Sequence, residues 1–327
     1  MELELLEKLT QVGSPSGRET EIRALIQKMA EPYADDIRTD TLGNLIVHKK
    51  GNGKKLLFAA HMDEIGVMVT YVDEKGFARF ANIGGLNTRE LVGEKVRFAD
   101  GTVGVIGSEE EAFKKNPALS KLYIDTGTKS REESRIKPGD SGIFIGGFYD
   151  MGDRIISKAL DNRIGCFVLL ETLKQIESSP NDLYFVFTVQ EEVGLRGAKT
   201  AAFGIEPDLA VAVDVTDTGD TPEAEPMAVS LGGGAAIKVK DSSILCHAKV
   251  RTLLMELAKK NDISYQLEVL TAGGTDAGAI HLTKSGVPTG SISIPCRYLH
   301  SVSEMVDKKD VADCVSLLTA LCQTKVD

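Results

Sequence analysis

Two adjacent acids, Glu191 and Glu192, stand just past a near-continuous apolar run, residues 183–189, and Gly194 turns the chain soon after. Near-continuous hydrophobicity marks a strand covered on both faces, and such strands belong to parallel sheets whose C-terminal ends open onto a ligand crevice. Two carboxylates there need a counter-charge. The run 55–60 ends in His61-Met62-Asp63, the run 209–213 ends in Asp214, and the run 290–295 leads through 296–299 to His300. Asp161 precedes a helical apolar pattern over 164–176. Strand ends on one edge of a sheet converge, so these residues are expected to share a pocket.

His61, Asp161, Glu192, Asp214 and His300 form a nitrogen and oxygen ligand set without thiolate, suited to zinc, cobalt or manganese and unlike a structural cysteine-zinc site. Two imidazoles and three carboxylates exceed what one four-coordinate ion takes. Shared between two ions, with one Asp bridging, they give each ion three protein ligands and leave positions for a water and a substrate oxygen. Ions about 3.5–4 Å apart lower the pKa of water and clamp the tetrahedral state of an attacked carbonyl, so the expected chemistry is hydrolysis. Glu191 adjoins a ligand but points elsewhere, because neighbours on an extended chain alternate, and it is the natural general base. Asp63 is placed to accept the second N–H of His61 and fix its tautomer.

The elements around these residues read as α/β with an insertion. Helical patterns cover 2–10 and a segment beginning at Ser16-Gly17-Arg18-Glu19, whose spacing is that of a capping box. Strands are expected over 37–41, 45–49 and up to His61. From about 66 to 154 helical periodicity disappears, and six short alternating runs separated by Gly, Asp and Asn turns suggest a small barrel. The α/β alternation then resumes, with helices over 162–176, 198–202, 247–261, 277–284 and 310–323 and strands over 183–189, 209–213, 235–240, 265–269 and 287–294. The division expected is a catalytic α/β domain of residues 1–66 and 155–327, interrupted by a β-barrel domain of 67–154.

The segments AAHMDEIG, KALDNRIG, VQEEVGLRGA, AVDVTDTGD, GGTDAGAIH and RYLHSVSE, in this order and spacing, resemble the M42 family of metallo-aminopeptidases, which includes glutamyl and leucyl aminopeptidases and tetrahedral (TET) peptidases. The resemblance covers essentially the whole chain. It implies a zinc-exopeptidase-like three-layer core with a mainly parallel or mixed sheet. The insert would serve dimerisation, and dimers would assemble into a hollow dodecamer. It further implies that His61, Asp161 and Asp214 hold one ion, that Asp161, Glu192 and His300 hold the other, and that Glu191 is the base. The cofactors would be two divalent ions per subunit, zinc or cobalt, and the substrates short peptides with a free N-terminus. The loop Gly273-Gly274-Thr275-Asp276 is placed beside the substrate by the same resemblance.

With 327 residues, 42% of them apolar, the chain can bury a large core, while a formal charge of −10 and no basic stripe argue against nucleic-acid or anionic-membrane partners. No apolar run approaches the roughly 20 residues that span a bilayer, and the acidic, amphipathic start MELELLEKL is unlike a signal peptide. Five cysteines without CxxC spacing fit a reducing compartment as small buried side chains, so a cytoplasmic location is expected. His48, His247 and His281 carry no expected role. The Gly232-Gly233-Gly234 run lacks the lysine and serine of a phosphate loop and reads as a turn. Glu109-Glu110-Glu111 reads as a solvated loop tip. Two other functions compete with the aminopeptidase. A glycoside hydrolase needs two carboxylates facing across a glycosidic bond, which adjacent Glu191 and Glu192 do not readily supply, and there is no Trp for sugar stacking. A metal-bound assembly protein without activity would leave Glu191 dispensable.

Overall fold

The computed structural model describes residues 1–109, 117–222 and 224–326. Two helices, α1 (Leu3–Gln11) and α2 (Thr20–Ala30), precede three strands, β1 (Asp36–Thr39), β2 (Leu45–Lys49) and β3 (Lys55–His61). Strands β4 (Gly66–Val72), β5 (Ala78–Ile83), β6 (Lys95–Phe98), β7 (Val103–Ser108), β8 (Leu122–Asp125) and β9 (Ser141–Phe144) close into an antiparallel barrel in the order β4-β5-β8-β7-β6-β9. Alternate residues such as Val67, Val69, Phe80, Val96, Phe98, Ile106 and Ile124 fill it.

The chain then returns to the larger sheet through β10 (Tyr149–Asp150) and β11 (Arg154–Ser157), and enters α3 (Leu160–Gln175). Next come β12 (Asp182–Thr188), α4 (Arg196–Ile205), β13 (Leu209–Thr216), β14 (Ala235–Lys240), α5 (Ala248–Lys260) and β15 (Tyr265–Val269). The chain closes with α6 (Ala277–Ile280), β16 (Thr289–Arg297), β17 (Glu304–Asp307) and α7 (Lys308–Gln323). The sheet runs β1-β2-β12-β3-β13-β16-β17-β11-β10, with β14 on β16 and β15 on β14. Its centre, β12-β3-β13-β16, is parallel throughout, so four strand ends open on one edge.

The two faces of β3 explain the layering. Leu56, Phe58 and Ala60 join the core beneath α1, α2, α3, α5 and α7, while Leu57 and Ala59 join a smaller one beneath α4 and α6. A strand buried on both sides has no polar alternation to display, which is why these runs read as continuous. Helix α3 is buried almost all round and contributes Ile164, Phe167, Val168, Leu170 and Leu173 to the larger core.

Several expectations change. The capping box does not form: the Ser16 hydroxyl donates to Asp63 Oδ2 at 2.6 Å, and no side chain caps α2. A buried carboxylate from a distant segment outcompetes the local turn. Strand β13 extends beyond the expected 209–213 to Thr216, so Asp214 lies within the strand. Helix α6 stops at Ile280 instead of 284, because Lys284 adopts φ 52° and the chain folds back with Val287 N–H on the His281 carbonyl. Strands β10, β11 and β17, of two to four residues, are too short to show a period. Tyr149–Asp150 falls inside the span 67–154 yet pairs with β11 in the large sheet. Gly232 and Gly234 donate their N–H groups to Asp310 at 2.7 Å each, which makes that run a packed turn. Glu109 pairs with Arg79 and Lys121, and Glu110 and Glu111 lie outside the described residues. His48, expected at the surface, is half-buried against Asp182 and stacks on Tyr184.

Candidate active site

Each site residue reaches the open edge of the sheet by its own local device. His61 is the last residue of β3, opposite Thr188 of β12. Past β12, Gln190 takes φ 55°, and the buried Asp63 carboxylate accepts the N–H of Glu191 at 3.0 Å and of Glu192 at 3.2 Å. The double-glutamate turn is therefore held in place by the residue two beyond His61. Asp161 and Asn162 depart from helical angles at the start of α3. The Asn162 amide donates to the Val213 carbonyl at 2.8 Å and its oxygen accepts from Gly165 N–H, tying that start to β13. His300, in the loop between β16 and β17, has φ 61°. Left-handed backbone on residues with side chains is held by its surroundings and clusters at functional sites.

The five residues meet around Asp161. Its Oδ1 is 3.0 Å from His61 Nε2, and its Oδ2 is 3.3 Å from His300 Nε2, so one carboxylate faces two imidazoles with different oxygens. His61 Nε2 also lies 3.7 Å from Asp214 Oδ1 and 3.9 Å from Glu191 Oε2, and His300 Nε2 is 3.6 Å from Glu192 Oε2. The other ring nitrogen of His61 points at Asp63, whose backbone carbonyl at 3.0 Å is nearer than its carboxylate at 3.5 Å. The carbonyl is the nearer of the two acceptors for that nitrogen, and the carboxylate also holds the Glu191-Glu192 turn.

The protein groups alone leave the pocket crowded with acids. Burial, reinforced by Asp214 and Asp276, holds Glu191 protonated well above the usual carboxylate range, and burial with Asp161 pushes Glu192 up to about 8. Burial also raises Asp214 strongly and Asp276 to about 6. Asp161 goes the other way: burial would raise it, but the hydrogen bonds to His300 and His61 outweigh that and keep it ionised. Burial disfavours a charged His300, yet Asp161 and Glu192 raise it to about 10. So many buried acids around two imidazoles call for cations.

The residues present fit divalent ions. Ligand atoms of His61, Asp161 and Glu192, and of His61, Glu191 and Asp214, lie within 4.8 Å of one another. The buried Oε1 of Glu192 has no hydrogen-bond partner among the described residues, as expected of an atom reserved for an ion. The barrel approaches closely here. A Cβ on Gly84, which has φ +75°, would lie 2.7 Å from Glu192 Oε2, and one on Gly85 2.9 Å from His300 Nδ1. The insert therefore walls the pocket.

A pocket of about 510 Å³ opens above these groups, bounded by Gly85, Leu195, Thr216, Lys238, Leu270 and Leu299 among others. Gly273, Gly274 and Thr275 line it. Asp276 lies beneath, buried, accepting the Thr188 hydroxyl at 2.5 Å with one oxygen while the other has no partner. Lys238 reaches the pocket wall with its charge matched by Glu268 and Asp241. Sequence reasoning missed Gly84-Gly85, Asn162, Thr188, Lys238 and Glu304. Only Asn162 and Glu304 sat within quoted segments, and nothing local distinguished them.

A mixed sheet with an imidazole-carboxylate cluster on the edge where its parallel strands end, entered beside an inserted barrel, defines a metal-dependent hydrolase. The family model described as M42 glutamyl aminopeptidase matches residues 43–317. A putative aminopeptidase of Acetivibrio thermocellus is 55% identical, over 98% of each chain. The solved aminopeptidase of Desulfurococcus kamchatkensis superposes with a TM-score of 0.93 at 40% identity, covering 98% of this chain and 94% of that one. The TET1 peptidase of Pyrococcus horikoshii, described as assembling into a tetrahedron or a large octahedral shell, gives 0.90 at 35% identity, covering 98% and 99%. The chain belongs to the M42 peptidase family, which is metal-dependent, and it is a peptide hydrolase. The glycosidase and non-catalytic alternatives fall with that finding.

Proposed function

We propose that this chain is a two-metal aminopeptidase that removes N-terminal residues from short peptides. The observation that carries the reading is the double contact of Asp161, with one carboxylate oxygen toward His61 and the other toward His300. In this reading His61, Asp161 and Asp214 hold one divalent ion and Asp161, Glu192 and His300 the other, with zinc or cobalt suited to the donor set. The ions, when bound, supply Lewis acidity toward the scissile carbonyl and acidify a water.

Glu191 accepts the proton of the attacking water and passes it to the leaving amine. Burial and its acidic neighbours keep it protonated while the site holds no ion, and divalent ions held beside it would lower that proton affinity to what a base needs. Asp63 positions Glu191 by holding its N–H, and the Asp63 carbonyl orients His61. The acids of the pocket suit a free substrate ammonium, and Gly273, Gly274 and Thr275 form a wall without bulky side chains beside it, with Asp276 supporting that loop from below.

No helix among the described residues is long and apolar enough to cross a membrane. Five free buried cysteines support a reducing compartment, the cytoplasm. The assembly described for the TET neighbours, a dodecamer in one and a tetrahedron or octahedral shell in another, supports dimerisation through the barrel and further assembly toward a dodecamer. The test is initial rate on aminoacyl chromogenic substrates carrying Glu, Leu and Lys, before chelation, after it, and after zinc or cobalt is returned. Turnover restored by metal supports the reading; no turnover with metals bound overturns it.

A further inference from the structure

Glu304 takes no part in the reaction just described, yet it touches two of its ligand-bearing residues. It opens β17 and is 1% exposed. Its Oε2 accepts the N–H of Asp161 at 3.0 Å and its Oε1 accepts the N–H of His300 at 2.9 Å. The two main chains arrive from different directions. Glu304 pairs with Ser157 across β11, at the point where the chain turns toward Asp161, and it stands four residues after His300, closing the loop between β16 and β17.

Both gripped segments contain backbone that does not hold itself. Ala159, just before the Asp161 turn, has φ 54°, and His300 has φ 61°. Such angles are unfavourable for residues bearing a Cβ and persist where surrounding contacts over-determine them. A buried carboxyl whose two oxygens each accept a main-chain N–H pins both chains, and here the two bonds join segments 139 positions apart. The side chains of the same two residues meet at 3.3 Å, Asp161 Oδ2 to His300 Nε2.

We propose that Glu304 is a positioning residue that sets the affinity for the ion shared by Asp161, Glu192 and His300. His61 and Asp214 depend on it less, since His61 is oriented by the Asp63 carbonyl and Asp214 lies within the ladder of β13. The inference rests on the two-ion reading above. Groups behind metal ligands typically control affinity by about 10- to 100-fold, and that is the scale expected here.

The test uses Glu304→Gln, which keeps the shape but sets an NH2 against one of the two N–H donors. Chelated wild type and variant are titrated with cobalt by calorimetry and visible absorption. Two steps are expected for the wild type; in the variant the step of the ion held by both gripped residues weakens about 10- to 100-fold, and the other, which shares only Asp161 with the clamp, weakens less. Amide hydrogen exchange of the metal-free proteins is measured alongside, and peptides containing Asp161 and His300 are expected to exchange faster together. Both cobalt steps unchanged, or faster exchange at only one segment, overturns the proposal. A wild type that binds a single ion refutes the two-ion reading, while the exchange measurement still decides the clamp. If Glu304→Gln does not fold, Glu304→Asp carries the same readouts. Rapid exchange of either amide in the wild type overturns the clamp without any variant.

Discussion

Beneath the site, one carboxylate answers two buried cations, and its removal has a calculable consequence. Glu64, 2% exposed, accepts Lys158 Nζ at 2.6 Å, an Arg163 N–H at 3.3 Å and the Ser14 N–H at 2.9 Å. Arg163 has other acceptors, the carbonyls of Leu9 and Val12 at 2.5 and 3.0 Å. Lys158, 3% exposed, has none besides Glu64 among the described residues. Glu64→Gln therefore leaves essentially one charge buried and unpaired, a loss of about 3–5 kcal/mol. At roughly 2 °C per kcal/mol for a chain of this size, the melting temperature should fall by about 6–10 °C. Calorimetry on chelated protein at pH 7 isolates this from any effect on metals. The double variant Glu64→Leu with Lys158→Met removes both charges and should recover most of the loss, because an apolar pair can replace a buried ion pair at little cost. A single variant melting within about 2 °C of wild type, or a double no better than the single, would refute the reasoning.

Glu191→Gln should bind metal and assemble as the wild type does while losing about 10²- to 10⁴-fold in kcat, the usual range for a lost general base; metal analysis beside initial rates checks it. Gly85→Ala places a methyl group 2.9 Å from His300 Nδ1, and should lower both metal affinity and turnover about tenfold, by analogy with disturbed groups around metal ligands; a variant with unchanged cobalt binding would show that His300 has room to move. In the chelated protein Glu192, at about 8, and Asp276, at about 6, lie above the unfolded range near 4, and His300, at about 10, lies above its unfolded value near 6.5. Groups raised on folding contribute stability at low pH that is lost as pH rises through the folded value, so both kinds act with the same sign. The lowered Asp161 acts only below about pH 4. The melting temperature of metal-free protein should thus fall between pH 5 and 9, and saturating zinc should remove the fall because the ion competes with protons. A melting temperature that rises over that range without metal contradicts the account.

The residue types at the site were legible because four stand at or just past a buried parallel-strand run and Asp161 opens a buried helical one, and apolar continuity survives in a single sequence. The barrel was legible for a related reason: short strands filled from one side keep a period of two. What was not legible depends on partners far along the chain. Ser16 had every local feature of a helix cap, but Asp63, 47 residues on, took its hydroxyl. Gly84 and Gly85 looked like ordinary turn residues, and the approach of Glu192, Ile65 and His300 explains why no side chain fits there.

The acids make the point most sharply. Asp63, Glu304 and Asp310 each accept two main-chain N–H groups, while Asp161 and Glu192 turn their oxygens toward imidazoles. By residue type the two sets are interchangeable. A carboxylate leaving water needs either donors or a cation, and the type alone does not say which it meets. Near this site the choice follows the backbone: where a turn leaves N–H groups without a ladder partner, as at Glu191-Glu192 and at His300, an acid is recruited to hold the turn. Asp161 and Glu192 in turn are free to face a cation because their own main chains are held by others. Removing a clamp and removing a ligand should therefore look alike in turnover and differ in hydrogen exchange, which is why exchange at Asp161 and His300 is the measurement that separates the two roles.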